Sequence, residues 1–277
     1  MRYYTYIAFL ILTFLSCKSQ DKKESTMTEI NDWKRERFEQ PLDSAYLFYV
    51  VYGDFNVDFK LSGEKYQTKG IPNGIDLMHY GPETHPEVLE SFLEGYVWDE
   101  LNKDNLTLSN QIKEAKECYI FKGSVADTDN LNYYRDLIGL ITYLLDNGGV
   151  AVYDLQVLTF WSKTDWIEKI FEPKAPQPRQ HVLIIFSEEE NGTKWFHTRG
   201  LRKYGRSDLS IHNVSKENEN AIVDLINRLI DFQAHGGIVD KDFKIDMKPL
   251  PKTMWCEQKG DFEDPDFNNK HIEIHWK

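Results

Sequence analysis

The chain has 277 residues, 41% of them hydrophobic and 28% charged. That balance excludes a disordered polymer and allows a sizeable core. Its 45 acidic residues outnumber 33 Lys and Arg and leave a net charge of −12, a poor match for nucleic acid or an anionic membrane surface.

Arg2 precedes the apolar run Ile7-Ala8-Phe9-Leu10-Ile11-Leu12-Thr13-Phe14-Leu15. The run is too short to span a bilayer but suits the core of an export signal. Ser16-Cys17 ends it, and the polar run Lys18-Ser19-Gln20-Asp21-Lys22-Lys23-Glu24 follows at once. The stretch resembles a bacterial lipoprotein signal, with Phe14 standing where that family has leucine. The resemblance implies that residues 1–16 are removed and that Cys17 is lipidated. The membrane then becomes a partner through Cys17, and Lys18 in the next position fits sorting to the outer membrane. The alternative is an ordinary signal peptide with an incidental cysteine. Several acyl chains on one residue would anchor the protein firmly without a spanning helix. Residues 17–37 are polar and read as a flexible tether, with the fold starting near Phe38.

From there the chain alternates strand and helix signals. Tyr46–Tyr52 is rich in β-branched and aromatic residues and stops at Gly53-Asp54, as a buried strand does. A glycine-rich stretch with Pro72-Asn73-Gly74 and Gly81-Pro82 follows. Pro86 opens a helix with Thr84 upstream as cap and Val88, Leu89, Phe92, Leu93 and Tyr96 as its apolar stripe. Cys118–Phe121 reads as a strand. A clear helix over 131–146 shows Leu131, Tyr134, Leu137, Ile138, Ile141, Leu144 and Leu145 on one broad face. Asn147-Gly148-Gly149 ends it, and Val150–Tyr153 is a short buried strand. Ser162 with Asp165 resembles a capping box for a helix over 163–171. Trp161 and Trp166 flank that cap, and closing a core edge is the expected role for both.

Asn191-Gly192 separates His181–Phe186 from Thr193–Thr198, a hairpin signal. A two-residue turn would set Phe186 opposite His197 and Ile185 opposite Thr198. Both faces carry apolar side chains, so the hairpin is expected to be central and covered. Leu209–Val214 alternates as a strand, and Ser215 precedes a long helix ending at Ala234. His235-Gly236-Gly237-Ile238 echoes Asn147-Gly148-Gly149-Val150; reuse of one helix-ending device explains the echo better than an internal repeat. Residues 271–276 form a final strand. The expected fold class is α+β, with a mixed, mostly antiparallel sheet and helices packed on it. One domain over 38–277 is expected, with two lobes divided near 173–180 as the alternative.

The densest chemical signal runs from Lys194 to Leu209. Arg199, Arg202, Lys203 and Arg206 surround Tyr204 between Gly200 and Gly205, with His197 just upstream and Asp208 downstream. Guanidinium forks suit a carboxylate or phosphate, and the stretch could hold a small anionic ligand or a protein. In so acidic a chain the competing reading is internal ion pairing. His197 could act as a general base, yet no nucleophile motif accompanies it, and no catalytic residue is assigned. His271-x-Glu273-x-His275 puts three potential metal ligands on one side of a strand, but about 7 Å apart, so a polar face opposite buried Ile272, Ile274 and Trp276 is expected and no metal or cofactor. Cys118 and Cys256 have no spacing signature, and their pairing stays open.

Gly148–Asp154, His197–Leu201 and Gly205–Leu209 resemble bacterial proteins in domain-of-unknown-function families, some suspected of interaction or immunity roles. That resemblance implies an α+β fold and no established activity. The reading that results is a lipid-anchored envelope protein that binds rather than catalyses; the alternative is an envelope hydrolase using His197 or a carboxylate.

Overall fold

The buried strand expected near residue 46 forms as β1 (Ala45–Gly53). Its alternation serves two cores at once. Leu47, Tyr49 and Val51 enter the main core, while Val50 and Tyr52 enter a smaller one on the opposite face. The computed structural model describes residues 30–56 and 60–276, so the export signal and Cys17 lie outside the described residues.

The elements after β1 are α1 (Gly63–Tyr66), β2 (Ile75–Tyr80), α2 (Glu87–Glu90), α3 (Tyr96–Asp104), α4 (Leu106–Glu114), β3 (Glu117–Val125), α5 (Asn132–Asp146), β4 (Gly149–Asp154) and β5 (Thr159–Ser162). The second half has α6 (Lys163–Trp166) continuing as a π-turn over 167–171, α7 (Pro178–His181), β6 (Leu183–Glu188), β7 (Lys194–Arg199), a 3-10 turn (Leu201–Tyr204), β8 (Asp208–Val214), α8 (Glu219–Ala234), β9 (Trp255–Lys259) and β10 (His271–His275). The protein is α+β, with two five-stranded sheets ordered β2-β3-β1-β4-β5 and β6-β7-β8-β10-β9. All pairings are antiparallel except β8 with β10.

All strands of the first sheet precede residue 163 and all strands of the second follow 182, so the 173–180 stretch separates the sheets in sequence. The main apolar cluster nevertheless draws on both: Tyr49 and Val152 from the first, Phe196, Ile211 and Ile274 from the second, and the buried stripes of α5 and α8 between them. Trp98, Leu108 and Ile112 of α3 and α4 close the other face of the first sheet. Among the described residues no helix packs on the other face of the second sheet; the loop before β10 lies against part of it through Phe267, itself 4% exposed.

Several local expectations hold for physical reasons. The Ser162 hydroxyl accepts from the Asp165 amide at 3.0 Å and caps α6. Gly148 ends α5 at φ +111, and Gly236 ends α8 at φ +100. Only the first passage enters a strand, which fits one helix-ending device used twice. Trp166 is fully buried, and Cys118 and Cys256 lie free in different clusters.

Others are corrected. The stripe after Pro86 forms only the single turn α2 with no side-chain cap, because Thr84 instead pairs with Gly81 in an isolated bridge. The helices that cover the sheet, α3 and α4, come later. The hairpin is shifted by one residue: Phe186 faces Phe196, and His197 faces Ile185. The turn has three residues, with Gly192 at φ +70 and the Glu189 amide bonded to the Thr193 carbonyl at 2.9 Å, the type I plus bulge form. The hairpin is also not central, since β6 is an edge strand and Phe186 is 55% exposed. The fold begins before Phe38: Trp33 is 7% exposed against the core, and Arg35 is buried.

Candidate functional site

The cation-rich stretch sits where the two sheets meet. Gly200 (φ +120) and Gly205 (φ +65) pinch Leu201–Tyr204 into a 3-10 turn that packs on β1. A side chain at 205 would meet the Asp43 carbonyl at 2.2 Å. The tightness of this turn directs its side chains inward.

Lys203 is fully buried. Its ammonium pairs with Asp154 at the end of β4, donates to the His181 carbonyl at 2.9 Å and lies 5.6 Å from the Tyr49 ring centre. Burial pushes its pKa down and Asp154 opposes the shift. Arg206 pairs with Asp127 at 2.7 Å and donates to the Gly236 and Gly237 carbonyls at 3.0 and 3.2 Å. Asp127 also pairs with Arg35, which donates to Ala234 and Tyr204 carbonyls at 3.0 and 3.1 Å. The two guanidiniums thus satisfy carbonyls that the C-terminus of α8 leaves without helical partners. They also tie α8 to the turn and to the segment after β3.

Tyr204 is buried, with its ring 5.6 Å from that of Tyr134, whose hydroxyl meets the Tyr49 hydroxyl at 2.6 Å. Burial raises all three phenols well above their ordinary range. Asp208, fully buried, accepts from Thr198 at 2.8 Å, the Leu201 amide at 3.2 Å and Asn269 at 2.8 Å; burial still pushes its pKa up to about 6. The remaining cations lie nearer the surface. Arg199 donates to the Gln156 and Asp266 carbonyls at 3.1 and 3.3 Å. Arg202 donates to the Asn268 carbonyl at 2.8 Å and lies 4.6 Å from the ring centres of Tyr46 and Phe262. The residues expected to face a ligand together therefore divide: Lys203, Tyr204 and Arg206 sit inside, and Arg199 and Arg202 hold the loop before β10.

His197 points to the helix-free face of the second sheet and is only 6% exposed. It stacks on Trp195 at 4.2 Å, and Phe267 meets it edge-on at 5.4 Å. Burial depresses its pKa to about 4, so it is a weak base. Ser210 lies across the ladder from it, but that hydroxyl accepts the Trp195 indole N–H at 2.9 Å and is buried.

The same face holds further aromatic stacks, in one group around Trp195 and Phe267 and a separate pair at Trp255. His212 stacks on Trp195 at 4.9 Å, His271 on Phe267 at 4.1 Å and His275 on Trp255 at 3.8 Å. Carboxylates accompany these stacks: Glu189 meets His212 at 2.8 Å and Glu257 meets His275 at 3.2 Å. Trp255 is 47% exposed. His271, Glu273 and His275 share this face as expected, while Ile272 and Ile274 enter the core. Among the described residues no group of His, Cys, Asp or Glu is arranged to hold a metal.

A separate cleft of about 1340 Å³ opens beside the start of the described chain, with Trp33, Lys34, Glu64, Lys69, Lys174 and His235 in its lining. It carries both signs of charge. Among the described residues no helix is long and apolar enough to cross a membrane.

Sequence reasoning missed Arg35, Asp127, Asp154 and His181. Trp33, a large apolar residue inside a polar run, was the one available sign that Arg35 belongs to the fold. No protein-family model matches the chain, and no curated protein or solved structure matches it either.

Proposed function

We propose that this is a lipid-anchored protein of the cell envelope that binds a protein partner on the helix-free face of its second sheet. The anchor is Cys17, and the outer membrane is the location that the sequence after it favours. The observation that carries the binding surface is the set of Trp195, His212, Trp255 and His275 on a sheet face without a described helix. Aromatic side chains bury much area at little entropic cost, and interface centres are enriched in them. The neighbouring cations are engaged inside or on loop carbonyls, which favours a protein partner over a small anion. The hydrolase alternative lacks comparable support, since His197 is covered and weakly basic.

Two measurements test this. Palmitate labelling in cells should mark the chain and be abolished by Cys17→Ser. A photo-crosslinking residue at Trp255 should give a discrete adduct, while one at Tyr96, 77% exposed on α3, should not. An unlabelled chain recovered from the soluble fraction would remove the anchor. Equal adducts at both positions, or none, would remove the surface.

A further inference from the structure

The edges of the two sheets are β2, β5, β6 and β9. Proteins blunt such edges with charge, brevity or a bulge, because an open edge recruits another strand. Three edges here are blunted. β5 has four residues, β2 presents Asp76 and His79 to solvent, and β9 presents Glu257 and Lys259. β6 is different. Leu183-Ile184-Ile185-Phe186 is apolar, with no proline or lysine, no bulge in its pairing with β7, and every residue at least partly exposed.

The backbone of β6 is prepared for pairing. The Glu189 amide bonds to the Thr193 carbonyl, so ladder alternation turns Ser187, Ile185 and Leu183 toward β7. The N–H and C=O groups of Ile184, Phe186 and Glu188 then point away from the sheet.

We propose that β6 pairs antiparallel with β6 of a second copy, about a two-fold axis through Ile185, joining two second sheets into one ten-stranded sheet. The register follows from the outward groups. Ile184 bonds to Phe186 of the second copy, and Ile185 faces its own counterpart in a non-hydrogen-bonded pair. Ile184, Ile185 and Phe186 of each copy then face one another, and Leu183 faces Ser187. Charge favours the antiparallel direction too. The strand ends in Glu188-Glu189-Glu190, and antiparallel pairing sets the acidic segments of the two copies at opposite ends of the joint ladder. A parallel arrangement would stack the glutamates. An edge strand is its own complement under a two-fold, which is the symmetry most homodimers use. A six-residue ladder alone buries less than the roughly 1,200 Å² of a stable interface, so the dimer is reversible. The inference does not depend on the anchor or on the aromatic face.

The test uses the full chain in detergent, by sedimentation equilibrium across a concentration series. A monomer–dimer equilibrium is expected, and Phe186→Lys should shift it to monomer while leaving the thermal melt unchanged. Cα atoms facing each other in a non-hydrogen-bonded pair lie about 4.5 Å apart, within disulfide range. In a Cys17→Ser background, Ile185→Cys should therefore cross-link under mild oxidation, and Cys17→Ser alone, with Cys118 and Cys256 buried, should not. If Phe186→Lys fails to fold, the cross-link decides. A wild-type chain that is monomeric throughout, a dimer that survives Phe186→Lys, or no Ile185→Cys cross-link would overturn the proposal.

Discussion

Replacing Lys203 by methionine separates a structural cation from a ligand-binding one. Lys203 and Asp154 are both fully shielded from solvent. Without the ammonium, Asp154 keeps one amide donor, that of Gln156 at 3.1 Å, and its carboxylate stays in the interior uncompensated. Breaking such a pair from one side costs about 3–5 kcal/mol, a large part of the ~5–15 kcal/mol that holds a typical domain folded. Urea denaturation of Lys203→Met at pH 7 should therefore show a much lower midpoint with an unchanged slope. Adding Asp154→Asn removes the uncompensated charge and should recover about 2 kcal/mol. A single variant within about 1 kcal/mol of wild type would refute the reasoning, as would a double variant no better than the single. A cation reserved for an external ligand predicts the first of those results.

Trp33→Ala should cost about 3–5 kcal/mol in the same assay, because Trp33 packs on the main core; a residue in a tether would cost nothing. Gly205→Ala should cost more than about 2 kcal/mol, combining a left-handed backbone with a Cβ 2.2 Å from the Asp43 carbonyl; an unchanged midpoint would show that the turn relaxes freely. Burial holds His197 near pKa 4 against an unfolded value of about 6.5, so its neutral form contributes stability above pH 6.5 that is lost as pH falls toward 4. Asp208, pushed up to about 6 from an unfolded value of about 3.9, works in the opposite sense over the lower part of that window. His197→Phe should therefore flatten the acid loss of stability by up to one proton's slope, and an identical slope in the two chains would remove His197 as a contributor.

The alternating and helical periodicities of this chain were readable because each records a single buried face. β1, α5, β4, β8, α8 and β10 all fall where apolar spacing puts them. β2, β5 and β9 were not readable, since edge strands need only one partner and tolerate sequences such as Ile75–Tyr80, half of whose residues face solvent. α3 and α4 were hidden by their shortness and polar composition; each has nine residues and buries three or fewer on the small core. The hairpin was legible as a hairpin but not in register. Asn-Gly serves both a two-residue turn and a longer turn with a glycine bulge, and one residue of difference exchanges the sheet faces. Lipidation at Cys17 rests on the signal-like sequence around it, a kind of information that folding physics does not carry.

The cationic stretch illustrates a limit of another kind. Four cations in and beside a glycine-bracketed turn look the same in sequence whether they meet a ligand or the protein's own carboxylates. The deciding partners are distant: Asp127 precedes Arg206 by 79 positions and Asp154 precedes Lys203 by 49. Neither carboxylate has a local signature, so only the packed fold can pair them. Buried ion pairs add little net stability over an apolar core, yet each demands one specific partner. Here they join the turn before β8 to the strand and segment that frame α5, so the two sheets meet in a single arrangement. The second sheet is then held in place without a described helix on its outer face. Under the proposed binding role, the cations that looked like a ligand site instead position that face and the open strand edge beside it.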